Sequence, residues 1–268
     1  MSNGQPTLLG IPYDASSSFL RGAAFAPPKI REALRSPSAN GWSETGIEVL
    51  AAGVLGDDGD VAFAEENDPR SAITAAVRRI LARGRRPISL GGDHSITYPI
   101  FEALAAERRD VTIIQIDAHP DLYDSFEGDR FSHACQFARI MEAGLAARLV
   151  QVGIRTLNQH QREQAARFGA DIIDMRAWAA GARPSISGPV YLSLDLDGLD
   201  PAFAPGVSHL EPGGLATRDV LSIIQSLPGP IVGADVVELN PSRDLNDRTA
   251  FVAAKAVKEI AARMIETA

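Results

Sequence analysis

"VTIIQIDAHPDLYD", residues 111–124, passes in one step from an apolar, strand-like run to three aspartates and a histidine. In an extended segment alternate side chains share a face. Asp117, His119 and Asp121 can therefore aim at one spot, while Ala118 and Pro120 point elsewhere. Carboxylates gathered this tightly lose hydration and repel one another, so the fold has to supply something that compensates them. A strand ending in such a cluster is the pattern of an open α/β sheet, where ligands gather beyond the carboxyl ends of the strands.

Working outward, similar apolar runs recur: "TLLGIPY", "IEVLAAGVLG", "RPISLGG", "ARLVQVGI", "DIIDM", "PVYLSLDLD" and "PIVGADVVEL". Between several of them lie amphipathic helical stretches. In "DPRSAITAAVRRILARG" the residues Ile73, Val77, Ile80 and Leu81 share one face, with Asp68 and Pro69 as start signals. Ala253, Val257, Ile260 and Met264 do the same near the other end of the chain. Near-continuous apolar strands alternating with helices predict an α/β fold, a parallel sheet covered on both faces. With 268 residues, 45% of them apolar, the chain can build one large core. No Pro/Gly/Ser-rich linker divides it, so a single domain over residues 1–268 is expected.

Two further clusters follow strand-like runs. "SLGGDHS" places His94 beyond "RPISL", and "YLSLDLDGLDP" offers Asp195 and Asp197, with Asp200 behind them. The six candidates His94, Asp117, His119, Asp121, Asp195 and Asp197 bring two imidazoles and four carboxylates, whose four charges two dications would balance. Oxygen-rich ligation with two imidazoles suits Mn²⁺ better than Zn²⁺. A calcium-loop reading of "DLDGLD" fails, because Leu199 and Asp200 stand where that loop needs an acid or Asn and then Gly.

The totals exclude other classes. A net charge of −8, from 26 basic and 34 acidic residues, weighs against nucleic-acid binding. The basic run Arg78, Arg79, Arg83, Arg85 and Arg86 falls at the end of an expected helix, where cations suit the macrodipole. Cys135 is the single cysteine, so no intrachain disulfide forms. The stretch "MSNGQPTLLGIPYD" shows no targeting signal, and no apolar run has the length of a membrane span. The expectation is a soluble cytoplasmic protein without a membrane or nucleic-acid partner.

In order, "GGDHS", "DAHPD" and "SLDLDGLDP" resemble the three metal motifs of the ureohydrolases, the arginases, agmatinases and their relatives. The likeness extends from "GIPYDASSSFLRGAAFAPPKIR" to "GADVVELNPSRD" and the last helix. It is nearest to the plant-type arginases in "DAHPDLYDSFEGDRFSHACQFARIMEAG", "LVQVGIRTLNQ" and "LDPAFAPGVSHLEPGG". The resemblance implies a three-layer α/β/α fold with a mostly parallel eight-stranded sheet, assembled as a homotrimer or homohexamer. It implies two Mn²⁺ per chain and hydrolysis of a small guanidino substrate to urea and an amine. By motif, His94, Asp117, Asp121 and Asp195 would hold one ion; Asp117, His119, Asp195 and Asp197 would hold the other. Glu238, in "VVELNP", matches the glutamate that pairs with the guanidinium, and His133, in "FSHAC", the histidine that moves protons. Asp200 matches no ligand and is expected to order its turn.

The far end of the substrate is less defined. Ser132, Asn158 and His209 are candidate contacts, and Arg130 could add charge for a carboxylate. L-arginine leads, with agmatine or another guanidino acid as the alternative. A related deacetylase would lack the pairing of "DAHPD" with "VVELNP", and a non-catalytic binder would be expected to have lost ligands.

Overall fold

The computed structural model describes residues 4–64 and 68–268. The opening three residues of "MSNGQPTLLGIPYD" lie outside them. Eight strands form one sheet: β1 (Pro6–Gly10), β2 (Gly56–Asp60), β3 (Arg86–Leu90), β4 (Thr112–Ile116), β5 (Arg148–Ile154), β6 (Asp171–Asp174), β7 (Val190–Asp195) and β8 (Ile231–Val237). Their order is β2-β1-β3-β8-β7-β4-β5-β6, and every pairing is parallel. Parallel neighbours need crossovers, and these supply the helices α1 (Ala26–Leu34), α2 (Pro69–Leu81), α3 (Thr97–Leu104), α4 (Gln136–Glu142), α5 (Gln159–Phe168), α6 (Met175–Ala179), α7 (Thr217–Ser226) and α8 (Arg248–Glu266). None of the described helices is long and apolar enough to cross a membrane.

The period of two along each strand divides the core. Ile114, Ile116, Leu192, Leu194, Ala234 and Val236 pack with α1, α7 and α8 on one face, while Ile113, Leu149 and Tyr191 pack with α2, α3 and α4 on the other. This is the expected α/β/α sandwich. Full burial of each such Ile or Leu contributes roughly 1.5–3 kcal/mol. Helix starts follow local chemistry. Asp68 accepts from Ser71 N at the head of α2, and Pro69 needs no hydrogen-bond partner there. On α8, Ala253, Val257, Ile260 and Met264 are buried as their spacing predicts. In the basic run, Arg83 and Arg85 reach past the helix end to Asp58 on β2, and Arg86 opens β3 and donates to Gly4 O.

One expected strand is displaced. "IEVLAAGVLG" (47–56) forms turns through residue 55, and the strand is the acidic "GDDGD" that follows. Val49 still anchors in the core, but β2 is an edge with one partner. Its carboxylates, Asp57 and Asp60, are held by Arg31 of α1. Charge on an edge strand prevents pairing with another chain, and it also hides the strand from hydrophobicity.

One register feature matters for the site. Ser89, Asp235, Ser193, Gln115 and Gln151 stand side by side on β3, β8, β7, β4 and β5. All five are fully buried. They make a polar row across the sheet, just below the carboxyl ends of the strands.

Candidate metal centre and active site

The strands β3, β8, β7 and β4 are contiguous, so the loops that leave them converge although they are far apart in sequence. After β3, Gly91 and Gly92 let the chain pass close to its neighbours. A Cβ on Gly92 would lie 1.7 Å from Tyr13 O, and Gly92 O accepts from Glu238 N at 2.9 Å. A short 3-10 turn then begins at His94. Asp117 follows β4, Asp195 ends β7, and Glu238 follows β8. Asp121 and Glu238 take left-handed backbone angles, φ 50° and 65°. Non-glycine residues rarely adopt them, and they cluster at functional sites.

His94 is fully buried, and the polar row sets its tautomer. Asp235 accepts hydroxyl protons from Thr97 (2.9 Å), Tyr191 (2.8 Å) and Ser193 (2.7 Å). With its proton committed, Ser193 Oγ can only accept from His94 Nε2, 2.8 Å away. The ring therefore carries its proton on Nε2 and leaves Nδ1 bare. Nδ1 stands 3.1 Å from Oδ2 of Asp117, Asp121 and Asp195 alike, yet has no hydrogen-bond partner. A lone pair and three carboxylate oxygens facing one another repel unless a cation lies among them. This donor set fits a divalent metal.

Two overlapping groups have metal-holding geometry: His94, Asp117 and Asp195, and Asp117, His119 and Asp197. Asp117 is common to both, whereas Asp195 falls in the first. In the second, His119 Nδ1 is 3.0 Å from Asp197 Oδ2 and 3.6 Å from Asp117 Oδ1. Neutral donors aim the carboxylates. Gln115 of the polar row gives Nε2 to Asp117 (2.7 Å), and Gln136 on α4 gives Nε2 to Asp121 (2.6 Å). Ala118 N and Asp197 N donate to Asp197 and Asp195 respectively. Asp200 is no ligand; it accepts from the backbone of Ala202, Gly213 and Gly214 and so orders its turn.

Without metal, protons must do the compensating. Burial, then Asp197 and Asp117, push the Asp195 carboxyl well up. Burial and Asp117 raise Asp121 to about 6. Burial would lower His119, but Asp197 and Asp117 overcome it and raise the imidazole to about 12. A site that loads protons onto its bases in this way would exchange them for bound cations.

Above the ligands, burial opposes a charge on His133, yet Glu238 beside it raises the ring to about 9. His133 Nδ1 is 2.8 Å from Glu238 Oε1, which also accepts from His94 N at 2.9 Å. A cavity of about 200 Å³ opens here. Asp121, Asp195, Asp197, His119, His133, His209 and Glu238 line one part of it. Ser18, Tyr123, Phe126, Ala134, Thr156 and Gln161 line the remainder. His209 packs edge-on to His119 and tilted against His133, with ring centroids 5.8 and 5.3 Å away.

Three expected contacts lie elsewhere. Asn158 is outside the lining; its Oδ1 caps α5 through Gln161 N, and its Nδ2 donates to Tyr123 OH. Ser132 is buried beneath the lining, where its hydroxyl accepts from Ala134 N. Arg130 is taken by Asp124 and Glu142. The spacing rules also missed Arg155, whose guanidinium donates to the carbonyls of Asp197, Leu199 and Glu211 and so holds the loop that carries His209.

Comparison with known proteins places this geometry. The arginase family model matches residues 5–262. The chain is 49% identical to Arginase 1, mitochondrial, of Arabidopsis thaliana over 276 residues, 96% of this chain and 80% of that one. It is 33% identical to the agmatinase of Bacillus anthracis, covering 94% and 89% of the two chains. The solved arginase from Medicago truncatula superposes with a TM-score of 0.91 at 44% identity, over 98% of this chain and 88% of that one. The cytoplasmic location expected from the sequence is overturned here, because plant relatives of this similarity are mitochondrial or chloroplastic proteins. Composition and cysteine count report on folding and redox chemistry and do not encode an address.

Proposed function

Because the chain belongs to the arginase family of metal-dependent amidino hydrolases, we propose that it cleaves L-arginine to urea and ornithine with two manganese ions per chain. The observation that carries this reading is the bare Nδ1 of His94 facing three carboxylate oxygens, directly below the paired Glu238 and His133. In the proposal His94, Asp117, Asp121 and Asp195 hold one ion, and Asp117, His119, Asp195 and Asp197 hold the other. A single domain over 1–268 and a trimeric or hexameric assembly belong to the same proposal.

Bound there, two dications would supply hydroxide near neutral pH. The side chains do the rest. Glu238 pairs with the guanidinium through a charge-assisted hydrogen bond and holds its carbon over the ligand cluster. Attack makes that carbon tetrahedral, and its collapse to urea requires a proton on the departing nitrogen. His133, held beside Glu238, is placed to give that proton.

Arginine and agmatine share the guanidinium and differ in the α-carboxylate. Among the described lining residues there is no lysine or arginine. The carboxylate would therefore be met by neutral donors such as Thr156 or Gln161. A site with such donors disfavours agmatine, because they are left unpaired. Similarity to plant arginases favours arginine, and the lack of a lysine or arginine among the described lining residues favours agmatine as the second reading. Steady-state kinetics on both substrates test the proposal. A higher kcat/KM for L-arginine is expected, and a clear preference for agmatine overturns it.

A further inference from the structure

The loop from β1 to α1 contributes none of the metal ligands, yet it lies against His133. Its base is closed by Asp14 Oδ2, which accepts from Gly22 N (2.7 Å) and Ala24 N (3.2 Å). Arg21 Nη2 donates to Ala15 O at 2.8 Å. Ser16 ties the loop to the site on both sides: its N–H donates to Asp93 Oδ2 at 2.9 Å, and its carbonyl accepts from His133 N at 3.2 Å. Held in this way, Ser18 makes two contacts with one atom. Its backbone N–H donates to His133 Nε2 at 3.2 Å, and its Oγ lies 2.9 Å from the same nitrogen.

These contacts define the neutral state of the ring, the one left after His133 has given up a proton. A backbone N–H can only donate, so Nε2 is an acceptor and the proton sits on Nδ1, facing Glu238. The backbone N–H cannot accommodate the ring once Nε2 is protonated. The hydroxyl can, because it donates to a bare Nε2 and accepts from Nε2–H. Ser18 is exposed and lines the cavity, so the residue stands between the ring and solvent. Tyr13 and Asp93, which hold the neighbouring Ser16, have no such contact with the ring.

We propose that the Ser18 hydroxyl relays protons between solvent and Nε2 of His133 and fixes the tautomer of the neutral ring. In the recharging step a water-derived proton bonds to Ser18 Oγ as the Ser18 hydroxyl proton passes to Nε2. The donor is a hydronium ion, which is left as water: its O–H bond and that of Ser18 break, one new Ser18 O–H bond and one N–H bond form, and the positive charge ends on the imidazolium beside Glu238. Ser18 is thus a relay and positioning residue that acts through His133, and this rests on the reading of His133 as the proton donor. The charged and titratable groups around the ring are Glu238, Asp93, Asp121 and His209; all are left in place when only Ser18 is changed.

Ser18→Ala keeps the backbone N–H and removes the oxygen. In the manganese-loaded enzyme kcat should fall about tenfold, a small share of a general acid's contribution, with KM and metal content unchanged. The solvent deuterium isotope effect on kcat should increase, and added imidazole should restore turnover. Ser18→Thr, which retains a hydroxyl, should behave like the parent. Parental kcat and isotope effect in Ser18→Ala, a loss confined to KM, or an equal loss in Ser18→Thr would overturn the relay. His133→Asn separates the two levels. If it turns over like the parent, the reading of His133 fails; if it is impaired while Ser18→Ala is not, only the relay fails.

Discussion

Ser193→Ala removes a single oxygen from a fully buried relay, and its consequence can be worked out in advance. His94 Nε2–H loses its acceptor, and Asp235 loses one of three hydroxyl donors. An orphaned buried donor costs about 1–3 kcal/mol, which at 1.4 kcal/mol per decade is roughly 5- to 150-fold in an equilibrium constant. The metal-free protein can escape this cost. The ring moves its proton to Nδ1, where three carboxylate oxygens already wait at 3.1 Å. Metal binding needs Nδ1 bare and has to reverse that move, so the penalty falls on the loaded state. Calorimetric titration of chelator-treated protein with Mn²⁺ should show the His94 group weakened about 10- to 100-fold, the usual scale for a group that orients a ligand. The His119 group should bind as before, and the metal-free variant should melt within a few degrees of the parent. Parental affinity at the His94 group, or an equal weakening of both groups, would refute the tautomer argument.

Two further outcomes follow from the same geometry. Asp117 is common to both metal-holding groups, so Asp117→Ala should lose both ions while Asp197→Ala retains the one at His94; elemental analysis of the two purified variants checks the ranking, and equal metal content contradicts it. Burial would lower the pKa of His133, but Glu238 raises it to about 9, above the ordinary 6.5. A raised folded-state pKa stabilises fully below the unfolded value and fades as pH climbs through the folded one. The stability advantage of metal-free parent over His133→Asn should therefore shrink from pH 6.5 towards 9, as followed by urea denaturation across that range, and a difference independent of pH would rule the pairing out.

The clusters at His94, Asp117–Asp121 and Asp195–Asp197 were legible because each is local: a strand, a tight turn and side chains two apart. The sandwich was legible for a similar reason, since periods of two and near four persist in short windows. What stayed hidden depends on topology. Ser89, Gln115, Gln151, Ser193 and Asp235 read as isolated polar residues inside apolar runs until the order β3-β8-β7-β4-β5 sets them side by side. Ser18 meets a histidine 115 positions away, and no local rule reports such a contact. Asn158 misled for the opposite reason. An amide after a strand can face a ligand or start a helix, and the backbone of Gln161 claimed it. β2 was missed because "GDDGD" has little strand propensity and is stabilised by Arg31 from another element.

The polar row also bears on how the sheet finds its alignment. Apolar strands of this kind can slide along one another at modest penalty, since most neighbours are interchangeable β-branched or leucine side chains. A slip of β7 alone by one residue would turn Ser193 to the opposite face and separate it from both Asp235 and His94. A slip of β4 alone would take Gln115 from Gln151, which now donates to its Oε1. Each misalignment would leave several buried dipoles without partners in a low-dielectric interior, where such losses are most expensive. Asp235, Ser193, Gln115 and Gln151, which support the metal ligands, thereby act as a vernier for the folding chain: among closely similar packings, only one brings all of their marks into line.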